Sequence, residues 1–248
     1  MMSLNRMGLA TVVKRQYQYK MKAYVGVFSS LIVLQCLAML FSLTGSGSSG
    51  YSSTGFSIDI TIYSGINIVI FTFLWAFIHS IIMTTKADLQ NGFTFVSNRL
   101  SNNLSNAAFL LTASIIGGIT TILSGFLLRV IVYFFIDTEH LHGEGFIYQP
   151  IEVISGMAAM VFYLILACSV GYLLGTITQL HRMLPVILPI AIIGFLIVTQ
   201  EQSGYIFKIA EFYFQETSFL LFVLKVMMTS ILCFVGSILL SNRLEVRK

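Results

Sequence analysis

Six long apolar stretches, at about 23–43, 60–84, 107–136, 151–178, 184–199 and 218–241, take up most of this 248-residue chain. A helix of ~20 apolar residues spans the ~30 Å hydrocarbon core of a bilayer. Five stretches reach that length. The stretch at 184–199 carries Pro185 and Pro189 and reads as a tilted, broken or re-entrant segment. Lipid offers no partner for backbone N–H and C=O groups, so apolar runs this long must be helices. A β-barrel would show short alternating strands instead, and none stands out. Mean hydropathy of +0.88 and only 10% charged residues exclude an ordinary soluble domain. The expected fold is an all-α membrane protein with six transmembrane helices in one transmembrane domain, residues 1–248.

Charge orients this arrangement. One set of connections holds Arg6, Lys14, Arg15, Lys20, Lys22, Lys86, Arg99, Arg182, Arg243, Arg247 and Lys248, 11 of the 14 Lys and Arg. The alternate set holds Asp59, Asp137, Glu139, Glu144, Glu152, Glu201, Glu211 and Glu216, with Lys208 as its cation. Loops rich in Lys and Arg resist translocation, so both termini are expected in the cytoplasm, N-in and C-in. The net charge of +4 is spread along one membrane face, which suits anionic lipid and argues against nucleic acid.

Several segments carry more than a span. Residues 3–22 interleave Tyr17 and Tyr19 with Lys14, Arg15, Lys20 and Lys22, the composition of an interfacial helix with snorkelling cations. Residues 45–57 are Gly- and Ser-rich and read as a flexible outer loop. Residues 85–106 set Phe93, Phe95 and Val96 among Lys86, Asp88 and Arg99, which suits a short helix docking on another protein. The stretch at 107–136 is longer than a span needs, and tilt or a bend at Gly117-Gly118 would absorb the excess. Gly171 and Gly175 have the small-xxx-small spacing of closely packed helices. After the fifth stretch, Tyr205, Phe207, Phe212 and Phe214 alternate loosely with charge, as in a helix on the outer interface.

Chemistry is sparse. Arg129 and Lys225 are charges inside spans, either snorkelling outward or functional, with Asp137, Glu152 or Glu216 as possible partners. Gly45 and Gly50 have phosphate-loop spacing, but Tyr51 and Ser52 replace the required Lys and Ser/Thr. Gly47-Ser48-Ser49-Gly50 faintly resembles a rhomboid protease nucleophile motif, without a partner His. His140, His142 and Glu144 form at most a weak metal site. His79 reads as a packing residue. Cys36, Cys168 and Cys233 fall in apolar spans and read as buried, inert thiols. The Asn103 sequon falls on the cytoplasmic side, where it is not used.

The basic lead, the Phe-rich inner loop, the Gly171–Gly175 close followed by His181-Arg182, the short fifth span with its amphipathic sequel, and the Ser241–Arg247 end together resemble the type-2 permease subunits of bacterial ATP-binding-cassette (ABC) exporters of Firmicutes. The resemblance implies a bacterial plasma-membrane protein that pairs with a second permease chain, homo- or heterodimeric, on a cytoplasmic ATPase. ATP and Mg would be bound by that partner, with no cofactor on this chain. It implies an elbow helix around 13–22 (Lys14, Arg15, Lys20, Lys22) and a coupling helix around 88–100 (Asp88, Phe93, Phe95, Arg99). It also implies an outer gate segment containing Tyr205, Phe207, Phe212 and Phe214. The expected substrate is amphipathic: a peptide toxin, bacteriocin or antimicrobial. Two other classes remain open, a self-sufficient secondary transporter or channel and a non-transporting immunity or regulatory subunit. An intramembrane enzyme is disfavoured, because no nucleophile–base or paired-carboxylate set lies in the spans.

Overall fold

In the computed structural model, described here for residues 8–45, 47–53, 56–85, 98–135, 150–179, 212–213 and 218–243, helices form every long element. These are α1 (Leu9–Ala23), α2 (Val25–Leu43), α3 (Ile66–Ile82), α4 (Arg99–Phe135), α5 (Pro150–Thr178) and α6 (Phe219–Arg243). A hairpin, β1 (Gly47–Ser53) with β2 (Phe56–Ile62), lies between α2 and α3. Helices α2, α4, α5 and α6 are long and apolar enough to cross a bilayer, whereas α3 is a shorter apolar helix of 17 residues. Several long apolar helices of this kind are what a multi-pass membrane protein requires.

The partition of side chains is that of a body in lipid. On α6 the outward positions are Leu220, Leu224, Met228, Ile231, Leu232 and Leu239, while Val226, Ser230 and Ser237 are buried. Ile32, Val33 and Leu40 of α2 are likewise each about 60% exposed, at 61%, 60% and 61%. Hydroxyls turned inward with leucines outward would be untenable in water and are natural in hydrocarbon.

Three expectations need correction. The segment 45–57 is not a loop: Gly47 pairs with Ile62 and Ser53 with Phe56 in an antiparallel register. Its second strand, FSIDITI, alternates β-branched and polar residues with a period of two, the strand signature. The stretch 60–84 is accordingly not one span, because residues 60–62 belong to β2 and the helix begins at Ile66. At the other end of the hairpin, α2 stops where Gly45 takes φ 93° and donates its N–H to the Ser42 carbonyl (3.3 Å), a left-handed close that favours glycine. Third, α4 starts at Arg99, eight residues before the apolar stretch that announced it. The stretch at 184–199 lies outside the described residues.

Contacts divide the chain into two compact units. The first comprises residues 1–22, 77–111 and 165–248. Within it Gly171 lies against Ser80 and Phe77, and Gly175 against Ile81 and Thr84, so the small-xxx-small spacing does serve close packing. The second unit comprises residues 23–76 and 112–164, with a core of Ala38, Met39, Ile68, Leu128 and Val132. Here Gly117 and Gly118 are packing points. A Cβ on Gly118 would stand 2.6 Å from Val161 Cγ2 and 2.9 Å from its backbone nitrogen.

Gly125, two turns along the same helix, has nothing within 4 Å of a Cβ position. Gly118→Ala is therefore expected to lower the melting temperature of the purified protein, because overpacking costs ~1–3 kcal/mol against a helix-propensity gain of ~1 kcal/mol. Gly125→Ala, which meets no neighbour, is expected to raise it.

Candidate functional site

Three arrangements rise above packing. The first is a buried cation. The amphipathic helix α1 turns Gln16 and Lys20 inward and leaves Lys14, Arg15 and Lys22 exposed. Lys20, only 5% exposed, is thus not the snorkelling cation expected of it. Its Nζ donates to Asn102 Oδ1 (2.7 Å), Ser105 Oγ (2.9 Å) and Asn106 Oδ1, all on α4. An ammonium has three N–H donors, and three neutral oxygens receive them.

The network runs on. Asn106 Nδ2 donates to the Tyr172 hydroxyl (3.2 Å) and to the Met83 carbonyl (3.3 Å), and Tyr172 donates to Asn103 Oδ1 (2.9 Å). Ser105 also donates to the Asn102 carbonyl (2.8 Å). The run Ser101, Asn102, Asn103, Ser105, Asn106, entirely buried, is a socket for a lysine more than eighty residues earlier in sequence. Nearby, Arg99 Nη1 donates to the Ser241 carbonyl (3.0 Å) in the last turn of α6, where a cation suits the free carbonyls and the helix dipole. Gln179 donates its side-chain amide to the Thr84 carbonyl.

The second arrangement is a polar node within the apolar helices of the other unit. Gln35 of α2 is 4% exposed, and its Nε2 faces the hydroxyls of Thr72 (3.3 Å), Thr120 (3.1 Å) and Thr121 (3.2 Å). Two N–H donors are shared among these three acceptors. Ser124 reaches Gln35 Oε1 at 3.5 Å, and Thr121 donates to the Gly117 carbonyl (2.7 Å). Trp75 Nε1 donates to Ser30 Oγ (3.0 Å) in the same unit.

The third is a cavity of about 430 Å³ in that unit, lined by the Gly65 end of α3, by α4 and by the start of α5. Arg129 and Glu152 both face it, as do Thr121, Gly125, Phe126 and Gly156. Arg129 is half-buried and Glu152 exposed. The acid sits in the first turn of α5, where the helix dipole favours its charge.

The remaining sequence candidates fall as follows. Lys225 lies over the Phe212 ring, 4.0 Å from its centroid, and donates to the Phe212 carbonyl (3.3 Å), so an aromatic face serves this cation. Phe212 also meets Tyr213 edge to face, with centroids 5.0 Å apart. Asp88, Phe93, Phe95, Tyr205, Phe207 and Phe214 lie outside the described residues. Cys168 is buried as expected, but Cys36 is exposed on α2. Among the described residues no group of three or more His, Cys, Asp or Glu could hold a metal ion.

Sequence reasoning missed both polar networks. The run SNNLSN at the head of an apolar helix was the visible signal for the first, because five small polar residues in lipid or protein need partners. Gln35 amid the eighteen apolar or small residues of the rest of α2 was the signal for the second.

Lys20→Met is expected to destabilise the protein by ~3 kcal/mol or more, since it strands three buried acceptors at ~1–3 kcal/mol each. Lys20→Arg is not expected to rescue, because a planar five-donor guanidinium does not fit three convergent oxygens. Thermal unfolding in detergent, with protease accessibility of α1, measures both. Gln35→Leu is expected to cost less, ~1 kcal/mol, as interhelical bonds in lipid do.

No protein-family model, curated protein or solved structure matches this chain.

Proposed function

We propose that this chain is the membrane-spanning subunit of an ABC exporter in a bacterial plasma membrane, with both termini cytoplasmic. A separate cytoplasmic ATPase supplies the energy, a second permease chain completes the path, and the cargo is an amphipathic peptide toxin, bacteriocin or antimicrobial.

One observation carries this reading: the flanks of the connection at 86–97 are tied down on both sides. Before it, Met83 and Thr84 accept from Asn106 and Gln179. After it, Arg99 holds α6, and Asn102 and Asn106 hold Lys20 of α1. A loop that receives a push from a docked partner needs rigid roots, because a fraying flank absorbs the motion before it reaches the helices. The same bonds fix the amphipathic helix preceding the first span, which is the position of an elbow. The charge alternation along the sequence supports the orientation. A chain with 21 Phe and 11 Met suits varied amphipathic cargo.

A second reading, a self-sufficient transporter, draws on Arg129 and Glu152 facing one cavity. Uptake into liposomes driven by an ion gradient without ATP would favour it.

Gentle-detergent purification from the native host, followed by mass spectrometry, tests the exporter reading. The expected result is a stoichiometric ATPase carrying a phosphate-binding loop, lost when Phe93 and Phe95 are both changed to Glu. Recovery of folded protein alone, or a complex that survives those changes, overturns it.

A further inference from the structure

We infer that the cavity beside Arg129 is a binding site for a single-chain amphiphile with a zwitterionic head. This inference is independent of the exporter reading, because it concerns the chain alone.

The cavity lining combines two opposite charges, apolar side chains and a threonine hydroxyl. Arg129 lies six residues before the end of α4, and Glu152 two residues after the start of α5, so opposite charges from two helices line one space. A head carrying both an anionic and a cationic group complements such a pair, whereas a singly charged head meets attraction from one partner and repulsion from the other.

The apolar part of the lining is Ile66, Val69, Ile122, Phe126 and Val153. From Arg129 to Thr121 is eight residues of α4, about 12 Å along the axis at ~1.5 Å per residue. Thr121 also lines the space, with its hydroxyl engaged by the Gln35 node.

Volume selects the class of ligand. A peptide helix 10–12 Å across would use up 430 Å³ in about one turn of ~5.4 Å at most. A single alkyl chain lies in the same space lengthwise, with its head at Arg129 and Glu152. The open space is built in by glycine. Cβ atoms at Gly125 and Gly156 would meet nothing within 4 Å, whereas those at Gly117 and Gly118 in α4 would meet neighbours at 3.2 and 2.6 Å.

A Cβ at Gly125 or Gly156 meets no neighbour, so a leucine at either position would start from open space in the lining and occupy part of it, and this makes the test possible. The full-length chain, purified in an uncharged maltoside detergent, is titrated with fluorescent single-tail probes of identical chain. Their heads are phosphocholine, carboxybetaine, trimethylammonium or an uncharged sugar. The expected result is saturable binding of both zwitterions, about tenfold tighter than the cationic or uncharged probes, as one charge-assisted contact provides. The tighter of the two zwitterions tells whether the natural head is phosphate- or carboxylate-based.

Gly125→Leu and Gly156→Leu should each abolish that preference while melting at or above the wild-type temperature. Arg129→Gln and Glu152→Gln should each reduce the preference severalfold. Equal binding of all four heads would mean an adventitious additive only and would overturn the proposal. So would an unchanged preference in both leucine variants.

Discussion

A buried ammonium with neutral partners is the constraint on which the first unit depends. Taking a lysine out of water costs several kcal/mol, and the cost is met only if every N–H finds an oxygen in good geometry. Asn102, Ser105 and Asn106 provide those oxygens, and they stand together because i, i+3 and i+4 share one helix face. The head of α4 must therefore stay polar, although it continues directly into an apolar span. Asn106 cannot be traded for leucine without orphaning Lys20, the Tyr172 hydroxyl and the Met83 carbonyl together. A single cation thus sets the composition of a helix end, the position of α1 and the company of Tyr172.

Elsewhere, association does not depend on burying apolar surface. Lipid is as apolar as leucine, so α6 gains nothing by hiding Leu220 or Leu232. What distinguishes one helix face from another is closeness of approach and hydrogen bonding. Gly171 and Gly175 allow backbone to approach Ser80 and Thr84. Gln35, Thr72, Thr120 and Thr121 do the second job in the other unit. Each bond is modest, but misplacing the set in hydrocarbon would strand several polar groups at once, and this penalty makes the pairing specific.

The spans with clean apolar runs could be read from sequence to within a few residues: α2, α5 and α6 begin and end close to where hydropathy changes. The hairpin could not, although FSIDITI alternates plainly, because its isoleucines raised the hydropathy of the following helix and merged with it. The first eight residues of α4 were obscured by the opposite effect: polar residues there read as loop when all are helical and all but the half-buried Arg99 are buried. Site legibility followed the same division. Arg129 and Lys225 stood out as charges in apolar runs. Their partners, the shared cavity with Glu152 for one and the Phe212 ring for the other, are set by tertiary structure that local pattern does not encode. Lys20 was visible only as one of four basic residues, and nothing within its own helix marks it as the one turned inward.

Glycine in α4 is used in two opposite ways, and the contrast explains how a cavity persists in a tightly packed helix set. Gly117 and Gly118 are small so that Leu164 and Val161 can come close. Gly125 is small and a Cβ on it would meet nothing within 4 Å. A helix in lipid carries a glycine at a propensity cost of ~1 kcal/mol, and a charge near it at a larger one. Finding both beside the same opening, with Glu152 opposite, argues that the space is specified by the fold and is not a packing defect. Its lining is not inert either. Thr121 lines the cavity and is bonded to Gln35 and Thr72, so whatever presses on that hydroxyl acts on α2 and α3 as well as α4. Occupancy of the cavity and the packing of three helices are thus joined through one side chain.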